Sequence, residues 1–338
     1  FYGILNNSYL DGYGRRQHLM KNIRKWMAGV LRCMPWLNQR YTKWKWRERR
    51  VSYGTENPDK TFFVVRRATC KVGLFSYVMT NMGLVRQAVE NGWIPVIDMQ
   101  GNANTYLDEG EIGKKNAWEF FFRQPCGYSL EDISKSRNVI LSCGLISEKS
   151  RYPGKEIVSD RTARAEWKQL FDRYLLVRED IITETDALFE AMFHGEKVLG
   201  VLCRGTDYLS NRPKNHPVQP EPQEAIRKAR EVMREHHCGR IYLATEDEDI
   251  YRQFREAFGD ALQVTKAKRS ENIGHENIND AMMKGEQERC LGGRAYLINI
   301  LLLAKCNCLV AGSVGGTYGA ILLSDGYEYE YVFDLGVY

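Results

Sequence analysis

Val198-Leu-Gly-Val-Leu-Cys203-Arg204-Gly205-Thr206-Asp207-Tyr208 is an apolar run that ends in one arginine, one glycine and one aspartate. Val198 to Cys203 has the length and composition of a buried strand. Arg204 and Asp207 fall at or just past its carboxyl end, the edge at which open α/β sheets bind ligands. An arginine at that edge is a permanent cation with a planar fork of donors, suited to phosphate oxygens. The stretch therefore points to an α/β fold with a ligand edge at residue 204.

The segments on either side repeat the same alternation. Downstream, Gln223 to His236 has helical periodicity, and Arg240-Ile-Tyr-Leu-Ala-Thr245 reads as a strand with Glu246-Asp247 at its carboxyl end. Asp249 to Phe258 reads as a helix and Leu262-Gln-Val264 as a short strand. Lys266 to Arg289 is polar and irregular, the pattern of an acceptor loop or lid. Arg294 to Lys305 is an apolar helix, and Asn307 to Ala311 is a strand. Gly312-Ser313-Val-Gly315-Gly316-Thr317 is a glycine-rich turn opening a helix, and Tyr327 to Phe333 is the final strand. Upstream, Thr61 to Arg66 is a short strand and Lys71 to Ser76 a turn. Tyr77 to Glu90 is a helix, and Trp93 to Asp98 and Asn138 to Ser142 are strands. Residues 160 to 193 are helical in pattern. Two consecutive βα-rich halves predict two Rossmann-like domains facing a cleft.

Composition sets the broad class. The 338 residues suffice for about two domains. An apolar fraction of 43% and a charged fraction of 27% are ordinary for a globular protein. No apolar stretch approaches the ~20 residues that span a bilayer; the chain starts at Phe1 rather than methionine, so a segment before it stays open. The nine cysteines are odd in number and contain no Cys-x-x-Cys, which reads as free thiols in a reducing compartment.

The net charge of +5 is uneven. The first fifty residues hold twelve Lys/Arg against two acids, a local +10 that leaves −5 for the remainder. Residues 15 to 34 read as an amphipathic helix, with Leu19, Ile23, Trp26, Met27, Val30, Leu31 and Met34 on one stripe, basic residues around it and Pro35 as its stop. Tyr41-Thr-Lys-Trp44-Lys-Trp46-Arg47 then interleaves aromatics with cations. Three readings stand: a membrane-surface helix with an aromatic and basic anchor, a nucleic-acid surface with tryptophans stacking on bases, or a helix packed on the body with a solvated basic face.

Three strand ends converge if the sheet is parallel: Arg204 to Asp207, Thr245 to Asp247, and Gly312 to Thr317. The glycine turn is the best phosphate cradle, because its backbone permits close approach and a helix N-terminus offers free N–H groups. It lacks the Lys-Ser/Thr of a P-loop. Asp247-x-Asp249 is either a pair holding a divalent cation against a nucleotide diphosphate or acids favoured by a helix dipole. His216, before Pro217, is placed to hydrogen-bond a nucleotide or an acceptor. No Ser-His-Asp, HExxH or zinc spacing occurs.

The order of these motifs resembles the GDP-fucose fucosyltransferase superfamily, comprising the α-1,6-, α-1,2- and protein O-fucosyltransferases. Its first signature, a strand ending in His-x-Arg-(Arg/Gly)-x-Asp, corresponds to Leu202-Cys203-Arg204-Gly205-Thr206-Asp207. A following His-Pro matches His216-Pro217, and a Tyr-Leu-Ala-Thr-Asp-Asp segment matches Tyr242-Leu-Ala-Thr-Glu246-Asp247. Tyr296 to Ser313, Gly73-Leu-Phe75-Ser76 and Trp118 to Pro125 also fit, so the resemblance runs from about Lys71 to Leu323. Leu202 replaces the family histidine, Gly205 the second arginine of the α-1,6 branch, and Asn299 the acid on the late helix.

The resemblance implies a GT-B-like architecture with a basic helical amino-terminal segment over 1–58. An acceptor-side α/β domain over 59–175 and a nucleotide-sugar-binding Rossmann-like domain over 176–338 would follow. It implies an inverting, metal-independent glycosyltransferase with a GDP-sugar co-substrate, fucose the leading candidate, and no further cofactor. Arg204 would bind the donor diphosphate, Asp207 would support that strand end, and Glu246 and Asp247 would read the nucleoside. The catalytic set is then Arg204, Asp207, Glu246 and Asp247, the three carboxylates being open candidates for a base. Donor binding would add His216, Asn299, Gly312, Ser313, Gly315, Gly316, Thr317, Gly73, Phe75 and Ser76. The expected partner is a glycan acceptor, lipid-linked in one version, in polysaccharide or glycoconjugate biosynthesis. The expected location is cytoplasmic, with residues 15–50 offered to an anionic membrane face and no nucleic acid partner. The rivals are a metal-dependent glycosyltransferase using Asp247 and Asp249, and a non-catalytic glycan- or nucleic-acid-binding protein.

Overall fold

The structure is a computed structural model that describes residues 35–69, 71–146, 150–205, 214–266, 269 and 289–338. The expected helix over 15–34, Asp207 and most of the 266–289 loop lie outside the described residues. The chain divides into two compact units, Phe1–Arg47 and Glu48–Tyr338. In the first, helix α1 is described over Pro35–Trp46. The helix that Pro35 is expected to stop lies outside the described residues.

The second unit holds two sheets. The first comprises β1 (Arg49–Val51), β2 (Phe62–Val65), β3 (Ile94–Ile97) and β4 (Val139–Leu141) in the order β1-β4-β2-β3. β2 runs parallel to both β3 and β4, and β1 is an antiparallel edge on β4. Helix α2 (Leu74–Glu90) crosses from β2 to β3. The stretch 160–193, helical in pattern, forms two helices, α3 (Arg161–Tyr174) and α4 (Glu179–Phe193). Asp160 caps α3 by accepting from the N–H groups of Thr162 and Ala163. His194 and Gly195, both at positive φ, end α4.

The second sheet is entirely parallel. It comprises β5 (Val198–Leu202), β6 (Arg240–Ala244), β7 (Leu262–Gln263), β8 (Cys308–Gly312) and β9 (Tyr329–Phe333) in the order β7-β6-β5-β8-β9. Its connecting helices are α5 (Pro222–Glu235), α6 (Glu248–Phe258), α7 (Arg289–Ala304) and α8 (Gly315–Leu323). Every residue of β5 and β8 is buried, as in a parallel strand covered on both faces. Alternate residues face opposite layers. Leu199, Val201, Ile241 and Leu243 pack with Ala225, Ile226, Ala229 and Val232 of α5 and with Ile250 and Phe254 of α6. Leu202, Tyr242, Ala244 and Ala311 pack on the other side with Leu297, Ile298 and Ile300 of α7.

That second layer is continuous with the core of the first sheet, since Phe63, Val65, Leu74 and Phe75 belong to the same buried cluster. Phe75, in the first turn of α2, is wedged against α8: a Cβ on Gly319 would lie 2.0 Å from its ring. Only glycine permits that approach, which seats the two sheets' helices on each other.

Candidate active site

The strand order places the site. In the second sheet the chain proceeds outward from β5 through β6 to β7, then returns to lay β8 on the other side of β5. The crevice beyond the carboxyl ends of β5 and β8 is therefore a topological switch point, where helices leave to opposite faces and a ligand finds room. Leu202 pairs with Ala244 on one side and Ala311 on the other. The residues that follow each strand, Cys203-Arg204, Thr245-Glu246 and Gly312 to Val314, consequently lie side by side along one edge.

One crevice there is lined by Leu202, Cys203, Arg204, Ala244, Thr245, Glu246, Tyr296, Asn299, Ile300 and Val314. It unites Arg204, Glu246 and Asn299 from the residues expected in the sequence. Arg204 and Glu246 are both half-buried. Leu202, where the sequence resemblance would have a histidine, is buried and contributes an apolar wall. Burial pushes the Cys203 thiol up to about 12, with Asp247 and Glu221 adding to it, so it stays protonated.

Glu246 and Asp247 are adjacent in sequence but differ in placement. Asp247 is buried and is the N-cap of α6: its Oδ1 accepts from the N–H groups of Asp249, at 2.8 Å, and Ile250, at 3.1 Å. Its carboxylate also presses on the backbone of Gly205, where an added Cβ would lie 2.2 Å from Oδ2. The glycine standing for the expected second arginine is thus the residue that lets β5's end lie against this cap. Asp249 is exposed and lies 3.5 Å from Arg252. Among the described residues no group of three or more His, Cys, Asp and Glu could hold a metal ion.

Asn299 is oriented from two sides. Its Oδ1 accepts from the Tyr242 hydroxyl of β6 and the Thr265 hydroxyl after β7, each at 2.9 Å. Two donors on Oδ1 fix which way the carboxamide faces. Tyr242 is fully buried and its hydroxyl is held well above the ordinary phenol range by desolvation, so it donates. Tyr296, one helical turn before Asn299, shares its face of α7 and lines the crevice, yet sequence reasoning gave it no role. The i, i+3 spacing of Tyr296 and Asn299 was the available signal. Nothing comparable in the sequence marked Thr265.

The glycine turn builds the third wall. Val314 is the N-cap of α8 in extended backbone, and Gly315, Gly316 and Thr317 form its first turn. First-turn amides have no partner within a helix and face an incoming anion with the positive dipole end. Thr317 Oγ1 donates to the Gly312 carbonyl at 2.5 Å, and Ser313 Oγ lies 2.6 Å from the Tyr318 hydroxyl. Both hydroxyls stiffen the turn. Gln219 adds a brace by donating from Nε2 to the Ser313 carbonyl at 3.3 Å.

The remaining expected residues lie elsewhere. His216 is exposed, its carbonyl accepts from the Tyr338 N–H, and it does not line the crevice. Gly73 is the N-cap residue of α2. Phe75 is 2% exposed and is the wedge described above. Ser76 accepts from Arg67 through both its carbonyl and its hydroxyl.

No protein-family model and no curated protein sequence matches the chain. Solved structures with a similar course of chain include the fucosyltransferase NodZ from Bradyrhizobium, at 19% identity over 82% of this chain and 95% of that one, with a TM-score of 0.48. NodZ α-1,6-fucosyltransferase soaked with GDP-fucose matches at 19% identity over 78% and 93%, with a TM-score of 0.46. POFUT1 in complex with GDP matches at 10% identity over 81% and 99%, with a TM-score of 0.47.

Proposed function

We propose that this chain is a glycosyltransferase that moves a sugar, fucose in the leading version, from GDP to a glycan hydroxyl. The observation that carries this reading is the convergence of Arg204 after β5, Glu246 after β6 and the N-terminus of α8 after β8 at one switch point. As the glycosidic bond to the donor breaks, negative charge gathers on the diphosphate. The Arg204 fork and the first-turn amides of α8 stabilise that charge without reorganising. Glu246 and Asn299 offer an acceptor and an oriented amide on the nucleoside side, and Tyr296 supplies a flat wall.

Transfer is read as direct and inverting, with the acceptor hydroxyl held in line. The reading is metal-independent: positive charge at the diphosphate comes from arginine and helix dipole, and Asp247 Oδ1 is committed to capping α6. The acceptor glycan, lipid-linked in this proposal, is brought close by the basic amino-terminal segment on an anionic membrane face. Trp36, Tyr41 and Trp44 of α1 are exposed beside Arg40, Lys43, Lys45 and Arg47, which supports a surface role for that segment. No helix among the described residues is long and apolar enough to cross a membrane.

The test is a donor screen. GDP-fucose, GDP-mannose and a UDP-sugar are incubated with the full chain with and without EDTA, and released nucleotide is measured. GDP release from a GDP-sugar that persists in EDTA is expected. Loss in EDTA restored by manganese establishes the metal-dependent rival, and no release from any donor establishes a non-catalytic protein.

A further inference from the structure

Gln219 is a polar side chain buried at the carboxyl edge of the second sheet, 2% exposed. Its Nε2 donates to the Pro217 carbonyl at 3.1 Å and to the Ser313 carbonyl at 3.3 Å. Its Oε1 is buried without a hydrogen-bond partner and lies against Gly312, where an added Cβ would fall 2.1 Å from it. Burying an unpaired amide oxygen carries a cost that a methionine of similar length would avoid. What the amide supplies is a grip on one peptide group. In a planar trans peptide the Val314 N–H points opposite to the Ser313 carbonyl, so holding the carbonyl fixes the N–H as well. Val314 is the N-cap residue of α8 and lines the donor crevice.

Gln219 is itself held by the chain around it. Pro217-Val-Gln219-Pro220-Glu-Pro222 has three prolines in six residues, which restricts its backbone. The residues just before Gln219 pair with residues 336–338. β9 runs parallel to β8 with Phe333 opposite Gly312, so the chain after Phe333 emerges at the same edge as Ser313. Gly336, at a φ of 85°, supplies the left-handed backbone this course uses. Pro217 and Val337 then form an antiparallel bridge. The Val218 N–H donates to the Gly336 carbonyl at 2.9 Å, the Tyr338 N–H to the His216 carbonyl at 3.0 Å, and the Asn215 N–H to the Tyr338 carbonyl at 3.1 Å. A continuous series of bonds therefore runs from 336–338 through 215–218 and Gln219 to the start of α8.

We propose that Gln219 is a positioning residue for the donor diphosphate, and that residues 336–338 hold it in place. Neither lines the crevice; both act through the Ser313 carbonyl on the turn that presents the first amides of α8. This inference rests on the reading of that helix start as the diphosphate cradle.

Titration of the full chain with GDP and with guanosine tests it, alongside urea unfolding of each variant. Gln219→Met keeps the length of the side chain and removes both donated bonds. It should weaken GDP binding about tenfold and leave guanosine affinity and the unfolding midpoint at wild-type values, because only the diphosphate meets the turn. Gln219→Glu sets a carboxylate against two carbonyl oxygens and should weaken GDP binding further. Deletion of residues 336–338 should weaken it severalfold with the same sparing of guanosine. If Gln219→Glu does not fold, the methionine variant and the deletion carry the test. Equal losses for GDP and guanosine overturn the proposal, as does unchanged GDP affinity in folded variants. A wild-type chain that binds no GDP refutes the donor-site reading itself, whereas wild-type binding with unaffected variants refutes this inference alone.

Discussion

Replacing Gly205 by alanine should destabilise the protein through one neighbour. The added methyl carbon would lie 2.2 Å from Asp247 Oδ2, 2.5 Å from its Cβ and 2.6 Å from its Cγ. Ordinary contact needs more than about 3.4 Å, so something must move by about 1 Å. If Asp247 swings away, the bonds to the Asp249 and Ile250 amides are lost, costing about 1 kcal/mol as for other N-caps. If the end of β5 shifts instead, overpacking costs about 1–3 kcal/mol. The cheaper alternative sets the expected loss, about 1–2 kcal/mol. Asp247→Gly removes the obstructing atoms, and glycine caps a helix almost as well, so that variant should lose less than about 1 kcal/mol. The double variant should then be no worse than Asp247→Gly, a coupling energy of about −1 to −2 kcal/mol in the four-variant cycle. Urea unfolding followed by tryptophan fluorescence measures each corner. Additive losses, or a Gly205→Ala change within about 0.5 kcal/mol of wild type, would refute the packing of Gly205 on the α6 cap.

Further outcomes follow from the same geometry. Arg204→Ala should lower turnover by about two to three orders of magnitude, the usual loss of one preorganised charge-stabilising donor, and Arg204→Lys should recover only part; activity within a fewfold of wild type in a folded protein removes Arg204 from the site. Alkaline stability should report Cys203: the folded thiol titrates at about 12 and an unfolded one near about 8.5. The stabilisation is therefore full below the lower value and is lost as pH rises through this window. Thermal midpoints from pH 8 to 11 should fall less steeply in Cys203→Ala, and parallel curves would contradict the assignment. Removing residues 1–47 should abolish co-sedimentation with anionic vesicles and leave GDP affinity intact; vesicle binding that survives the deletion places the attachment elsewhere. The cut stops at Arg47 because Arg49 to Val51 pair with Val139 to Leu141.

The parts of the fold that the sequence disclosed are those whose signal is local. β5, β6 and β8 are apolar runs because both faces are covered, and Gly312 to Thr317 marks a strand turning into a helix. β1 escaped notice because Arg49-Arg50-Val51 is a short polar edge with only one neighbour.

Within the site, the sequence offered Glu246 and Asp247 as equivalent carboxylates. Their separation into crevice wall and helix cap depends on where the strand ends and α6 begins. The clamp on Asn299 was illegible for a different reason: Tyr242, Thr265 and Asn299 come from three elements, and only the assembled sheet brings them together.

The donor crevice is tested most directly by titrating the full chain with GDP, UDP and ADP in the calorimeter. If Arg204, Glu246, Asn299 and the α8 N-terminus form one nucleoside-diphosphate site, as proposed, GDP should bind more tightly than either of the others, and Arg204→Ala should weaken it. Equal affinity for all three nucleotides, or no binding of any, would contradict a GDP-sugar site at this sheet edge.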